Sequence, residues 1–289
     1  MTDDFRQKAI ALYDSFTHEG MERRTFMARM VALAGSVAAA EALIATIAAD
    51  PAAAAVVAAD DKRLRSVMLQ AEDGFGGYAA YVSEPRSRSR KPTVLVIHEN
   101  RGLNDHIRDI ARRLAIAGYR AVAPDFLSKR GGTPADEDKA RDMIGKVDLG
   151  QTVADAVLIL KLLAAGSRGG KLGAVGYCWG GGFVDRLAVA AGDRLNAGVS
   201  YYGPAPDPAE AVKVQAPLMI HLAGLDTRVA QTAWPFITAL RAAGKSVTYY
   251  NYEGVNHAFN NDTSAERYNK AAADLAWERT LRFFKRNLA

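Results

Sequence analysis

From Lys62 to the C-terminus, short apolar runs alternate with segments of helical period, and few architectures accept that alternation. Residues 65–69 and 78–82 read as strands flanking the turn-rich Asp73-Gly74-Phe75-Gly76-Gly77, an antiparallel hairpin at a sheet edge. Residues 93–98 are a continuous apolar run, as expected of a strand covered on both faces. Residues 105–117 then place Ile107, Ile110, Ala111 and Leu114 at helical spacing, and Gly118 closes the segment. The alternation continues with a strand over 119–123 stopped by Pro124, a helix over 151–164, a strand over 172–175 and a helix from Gly180. Strands over 197–201 and 217–222, a helix over 232–242, a strand over 247–252 and a long closing helix to Phe284 complete it. The pattern predicts an α/β fold, a mostly parallel sheet with helices on both faces and no internal repeat.

At 289 residues the chain can hold one large α/β domain, expected over 61–289, with a terminal extension over 1–60. Apolar residues at 49% and charged residues at 24% match a folded soluble protein rather than a disordered or multi-span one. The net charge of +5 comes from dispersed arginines and a basic C-terminus (Arg279, Arg282, Lys285, Arg286). It forms no basic stripe with interleaved aromatics, so nucleic acid is not an expected partner. A single cysteine rules out an intramolecular disulfide and any site of several thiolates. His18, His98, His106, His221 and His257 fall at no helical zinc spacing, and neither a metal nor a cofactor is expected.

The extension has its own character. Arg23-Arg24 with Phe26 two positions on, followed by an alanine-rich stretch over 31–59, resembles a twin-arginine export signal, with Ala52-Ala53-Ala54 as a cleavage site. Glu41 and Asp50 interrupt the apolar run, and a charge at the bilayer centre costs about 3 kcal/mol, so no stable membrane span is expected. The alternative is an amphipathic helix pair packed on the domain or on a second subunit. Export would place the protein in the periplasm, and packing would leave it in the cytoplasm, as a monomer or homodimer.

The segment richest in chemistry is Gly176-Tyr177-Cys178-Trp179-Gly180, directly after an apolar strand and before a helix. It resembles the nucleophile elbow of the α/β-hydrolase fold, G-x-S-x-G, with cysteine in place of serine. Glycines flank the nucleophile because side chains there would crowd the neighbouring strand and helix. The turn lifts the sulfur to the carboxyl edge of the sheet, beside a helix N-terminus that favours thiolate. A base and an acid are expected in the chain order nucleophile, acid, histidine. Asp226 follows one strand and His257 the next, both just past carboxyl ends, where open α/β sheets bind ligands.

Val96-Ile97-His98-Glu99-Asn100-Arg101-Gly102-Leu103, Ala123-Pro124-Asp125, the elbow, Gly224-Leu225-Asp226 and His257-Ala258-Phe259 together resemble the dienelactone hydrolases, or carboxymethylenebutenolidases. The resemblance runs from Lys62 to the C-terminus and implies a Cys178, Asp226, His257 triad. It also implies that Glu99 lies beside the thiol and exchanges its proton, keeping the sulfur neutral until substrate arrives; the bland alternative for Glu99 is a surface salt bridge with Arg101. The general scheme of the fold nominates the backbone N–H groups of Trp179 and Asn100 as the oxyanion hole. The family grips a substrate carboxylate with two arginines. One position is Asn261 here and the other falls near Lys129, with Arg130 adjacent, so substrate binding is expected at these three but a different ester or lactone is as well suited as dienelactone. The implied function is hydrolysis of a small ester or lactone through a thioester, without a cofactor. The competing readings are an acyltransferase using the same cysteine and a non-enzymatic binding protein on a hydrolase scaffold.

Overall fold

A computed structural model describes residues 3–48, 55–87, 91–166 and 170–289. Its centre is an eight-stranded sheet in the order β1-β2-β4-β3-β5-β6-β7-β8. The strands are β1 (Leu64–Leu69), β2 (Ala80–Pro85), β3 (Thr93–Ile97), β4 (Arg120–Pro124), β5 (Leu172–Tyr177), β6 (Ala197–Tyr201), β7 (Leu218–Ala223) and β8 (Val247–Tyr252). Strand β2 runs antiparallel to both of its neighbours, and every pairing from β4 to β8 is parallel. The four strands β3, β5, β6 and β7 are buried at every position, as their mostly apolar sequence suits strands covered on both faces.

Helices cover each face. On one side α6 (Leu149–Gly166), α7 (Trp179–Ala191) and α8 (Thr227–Ala242) bury Ile159, Leu160, Phe183, Leu187 and Phe236 against the sheet. On the other, α4 (Asp105–Ile116) and α9 (Lys270–Leu288) bury Ile107, Ile110, Leu114, Phe283 and Phe284. Helix α6 is long and apolar enough to cross a membrane, yet Val153, Ala156, Ile159, Leu160 and Leu163 on it are core residues under the sheet.

Two helices depart from the sequence expectation. Helix α5 (Glu137–Ile144) was not anticipated, because it is polar and buries only Ala140 and Ile144; Asp136 starts it by accepting from the N–H groups of Asp138 and Lys139. Helix α8 begins five residues before the expected start at Thr232, since Asp226 caps it by accepting from the Val229 N–H at 3.0 Å.

The N-terminal segment forms three helices, α1 (Asp3–His18), α2 (Arg23–Ala34) and α3 (Val37–Ile47). The alanine-rich run breaks at Gly35, which takes a left-handed φ of 87°, and Ser36, whose hydroxyl accepts from the Ala39 N–H. Taken together α2 and α3 are apolar enough for a span, but they bend by 105° at this break. The three share a core of Ile10, Tyr13, Phe16, Phe26, Met30, Leu43 and Ile47, with Phe16 stacked on Phe26 at 4.3 Å. They dock on the rest of the chain through polar contacts. Ser264 Oγ and Arg267 Nε donate to the Ile47 carbonyl at 2.6 and 3.1 Å, Arg6 pairs with Glu266 at 2.9 Å, and Arg23 pairs with Asp138. The Ala52-Ala53-Ala54 site lies outside the described residues.

Candidate active site

Four loops at the carboxyl ends of β3, β5, β7 and β8 meet above the sheet and carry Glu99, Cys178, Asp226 and His257. Cys178 sits between β5 and α7 with φ 56° and ψ −116°, a conformation that L-residues rarely adopt. The turn is this tight because the glycines around it are in backbone contact. A Cβ on Gly176 would lie 2.0 Å from the Gly180 carbonyl oxygen, and one on Gly180 would lie 2.4 Å from that of Ile97. The Cys178 N–H donates to the Tyr201 carbonyl at 3.0 Å, tying the elbow to β6. Trp179 is the first residue of α7, where helix geometry leaves N–H groups without intrahelical partners. Its ring stacks on His98 at 5.4 Å. His98 is itself structural: Nδ1–H donates to the Glu99 carbonyl at 2.7 Å and Nε2 accepts from the Phe126 N–H at 3.2 Å.

Asp226 serves two partners. One carboxylate oxygen caps α8, and the other accepts from His257 Nδ1 at 2.5 Å. Burial alone would raise the Asp226 carboxyl, but the charge and hydrogen bond of His257, the Val229 N–H and Arg228 hold it below its ordinary value. For His257, burial works against the charged ring, and the Cys178 sulfur and Asp226 carboxylate outweigh it, pushing the imidazole up to about 10. With Nδ1 committed to Asp226, the buried Nε2 has no hydrogen-bond partner among the described residues. A ring nitrogen of His257 lies within 4.8 Å of the Cys178 sulfur.

Glu99 is buried beside the same small cavity as Cys178, and its carboxylate accepts from Asn261 Nδ2 at 2.9 Å. The surface salt bridge with Arg101 does not form, because Arg101 turns to Glu137 at 3.1 Å and to the Tyr13 hydroxyl at 2.7 Å. The expected substrate-binding trio is divided. Asn261 lines the small cavity, but its amide nitrogen is engaged by Glu99 and its carbonyl oxygen by the Thr263 N–H and hydroxyl, so it positions a carboxylate rather than offering a free donor. Lys129 and Arg130 line neither cavity at Cys178. Lys129 is held by Asp155 at 2.6 Å and lies over the Tyr78 ring, and Arg130 donates to the Lys146 carbonyl.

Sequence reasoning did not place the N-terminal helices over this site. The sulfur lies between two cavities. The smaller, about 20 Å³, holds about one water and is lined by Tyr13, Glu99, Asn100, Arg101, Asn261 and Arg267. The larger, about 510 Å³, falls in the range of small-molecule pockets and is walled by Phe16, Met21, Arg141, Ile144, Trp179 and Arg228. His18, from the last turn of α1, lines both and puts Nδ1 3.9 Å from the Cys178 sulfur. Burial and the neighbouring His257 hold the His18 ring neutral, well below its ordinary value. No motif signals this residue, which is separated from Cys178 by 160 positions.

The Dienelactone hydrolase family model matches residues 78–288. A Salmonella typhi protein named "Putative carboxymethylenebutenolidase" is 32% identical over 238 residues, spanning 76% of this chain and 86% of its own length. One of the same name from Saccharolobus solfataricus is 31% identical over 245 residues, spanning 72% and 93%. Among solved structures, a Klebsiella pneumoniae protein named "Putative Dienelactone Hydrolase" matches 77% of this chain and 98% of its own, at 28% identity and a TM-score of 0.69.

Proposed function

The chain belongs to the dienelactone hydrolase family, and on that footing we propose that it hydrolyses a small carboxylic ester or lactone through a thioester on Cys178. The observation that carries this reading is the strained elbow that presents the sulfur to a histidine already held by a buried aspartate. His257 takes the proton of the Cys178 thiol, the thiolate attacks the carbonyl carbon, and the oxyanion accepts from the backbone N–H groups of Trp179 and Asn100. Collapse breaks the ester bond, and the leaving alkoxide takes the proton from the His257 imidazolium. Water then gives a proton to His257 and attacks the thioester, releasing the acid and returning the thiol. Asp226 keeps the ring in the tautomer that faces the sulfur.

The larger cavity is the one with room for substrate, since the smaller holds only about one water. The test is turnover of a panel of esters and lactones, neutral and anionic, by the full chain. Hydrolysis of at least one class is expected, with the acid as product whether or not alcohols are added. Alcohol-dependent ester products would turn the reading into acyl transfer, and no turnover of any member would turn it into a binding protein.

Glu99 exchanges a proton with the Cys178 thiol and keeps the sulfur neutral until substrate arrives, a role supported by its burial beside Cys178 and by the Asn261 hydrogen bond that fixes its orientation. Glutamine at this position carries no negative charge to oppose a thiolate beside it. Glu99→Gln is therefore expected to raise the rate at which iodoacetamide alkylates Cys178 at neutral pH by about tenfold, through a larger thiolate fraction. An unchanged rate removes Glu99 from the mechanism.

A further inference from the structure

We propose that His18, Cys178 and His257 form a site for one divalent cation of borderline softness, with Zn²⁺ the best match, in which helix α1 supplies the third ligand. The three side chains come from α1, the elbow after β5 and the loop after β8, and their ligand atoms all lie within 4.8 Å of one another. Metal–nitrogen and metal–sulfur bonds of about 2.0 and 2.3 Å set tetrahedral ligands roughly 3.3–3.8 Å apart. The 3.9 Å between Cys178 Sγ and His18 Nδ1 is close to that spacing already.

The ligand atoms suit a cation in kind as well as position. His257 Nε2 is buried without a hydrogen-bond partner among the described residues, and its ring is oriented by Asp226 on the opposite nitrogen. A carboxylate behind a histidine is the usual support of a zinc-bound imidazole. His18 turns Nδ1 toward the Cys178 sulfur at 3.9 Å. One thiolate with two imidazoles selects Zn²⁺ or Co²⁺ over Mg²⁺ and Ca²⁺, which prefer oxygen. The cavity of about 510 Å³ reaches both His18 and Cys178, giving the ion an entry path and its fourth position a water.

Binding would release to solvent the protons held on the Cys178 sulfur and on His257 Nε2, and would engage the nucleophile and the base together. The loaded protein is therefore an inactive form, and the same bonds fasten α1 across the catalytic face. This reaches beyond ester hydrolysis, and its test does not depend on that activity.

Co²⁺ titrated into the reduced full chain reports the ligands directly. One equivalent is expected to produce visible ligand-field bands of a four-coordinate ion together with a near-ultraviolet sulfur-to-cobalt charge-transfer band. His18→Gln and His18→Ala are both expected to weaken Co²⁺ by at least about tenfold, and Cys178→Ala to abolish the charge-transfer band. Near-ultraviolet circular dichroism confirms that each variant remains folded. No charge-transfer band in the wild type, or unchanged affinity in the two folded His18 variants, would overturn the proposal.

Discussion

Replacing Cys178 with alanine is expected to lower kcat/KM for p-nitrophenyl acetate by about ten-thousandfold or more while the protein stays folded. The size of the loss follows from the proposed covalent route. Without sulfur no thioester forms, and only the oxyanion donors and substrate binding remain to help water. The fold should tolerate the change because the demanding feature at this position is the backbone, with φ at 56°, and cysteine and alanine share the same Cβ. The side chain is 5% exposed, so its removal opens a void about the size of one sulfur atom, costing about 1 kcal/mol. Activity within tenfold of wild type, measured on protein with an unchanged melting temperature, would mean that another group attacks the ester.

A side chain at Gly176 is expected to act the other way round, destroying the fold rather than the chemistry alone. The ideal Cβ would sit 2.0 Å from the Gly180 carbonyl oxygen and 2.3 Å from its carbon, both of them backbone atoms that cannot swing aside. Relief requires β5 and the start of α7 to separate, which also disrupts the contact of Gly180 with the ends of Ile97 and His98. Gly176→Ala should therefore lose more than about 4 kcal/mol of stability, read as a fall in the urea midpoint or as failure to recover soluble protein. Gly118→Ala is the contrasting control. Gly118 has φ 101° but nothing within 4 Å of its Cβ position, so only backbone strain of about 1–2 kcal/mol is expected. A loss at Gly176 no larger than that at Gly118 would show that the close approach does not dictate glycine at the elbow.

The sheet was legible because burial on both faces writes itself into sequence as mostly apolar runs, and β3, β5, β6 and β7 are such runs, broken only by Thr93 at the start of β3, Ser200 in β6 and His221 in β7. The elbow was legible for a related reason, since a tight strand-to-helix turn demands small residues at fixed offsets from the nucleophile. Asp226 serves two partners at once: one oxygen caps α8, and the other accepts from His257. What stayed hidden depends on tertiary docking. His18 and Tyr13 reach the site only because α1 packs over the strand ends, and no local pattern specifies where a surface helix will settle. Lys129 is suggested only by resemblance, as the place near which the family's second arginine falls. Asp155 on α6 draws it away, a partner that sequence distance does not reveal. The break at Gly35 and Ser36 was visible in the residues, yet the surrounding alanines conceal it beneath a continuous apolar average.

The most direct examination of the central claim is intact-mass and peptide analysis of the full chain mixed with p-nitrophenyl acetate and quenched in acid during turnover. The account predicts a single added acetyl group, located on the peptide that holds Cys178, sensitive to hydroxylamine as a thioester is, and chased away as substrate is exhausted. Steady hydrolysis with no adduct, or with the acetyl group on any other residue, would contradict it.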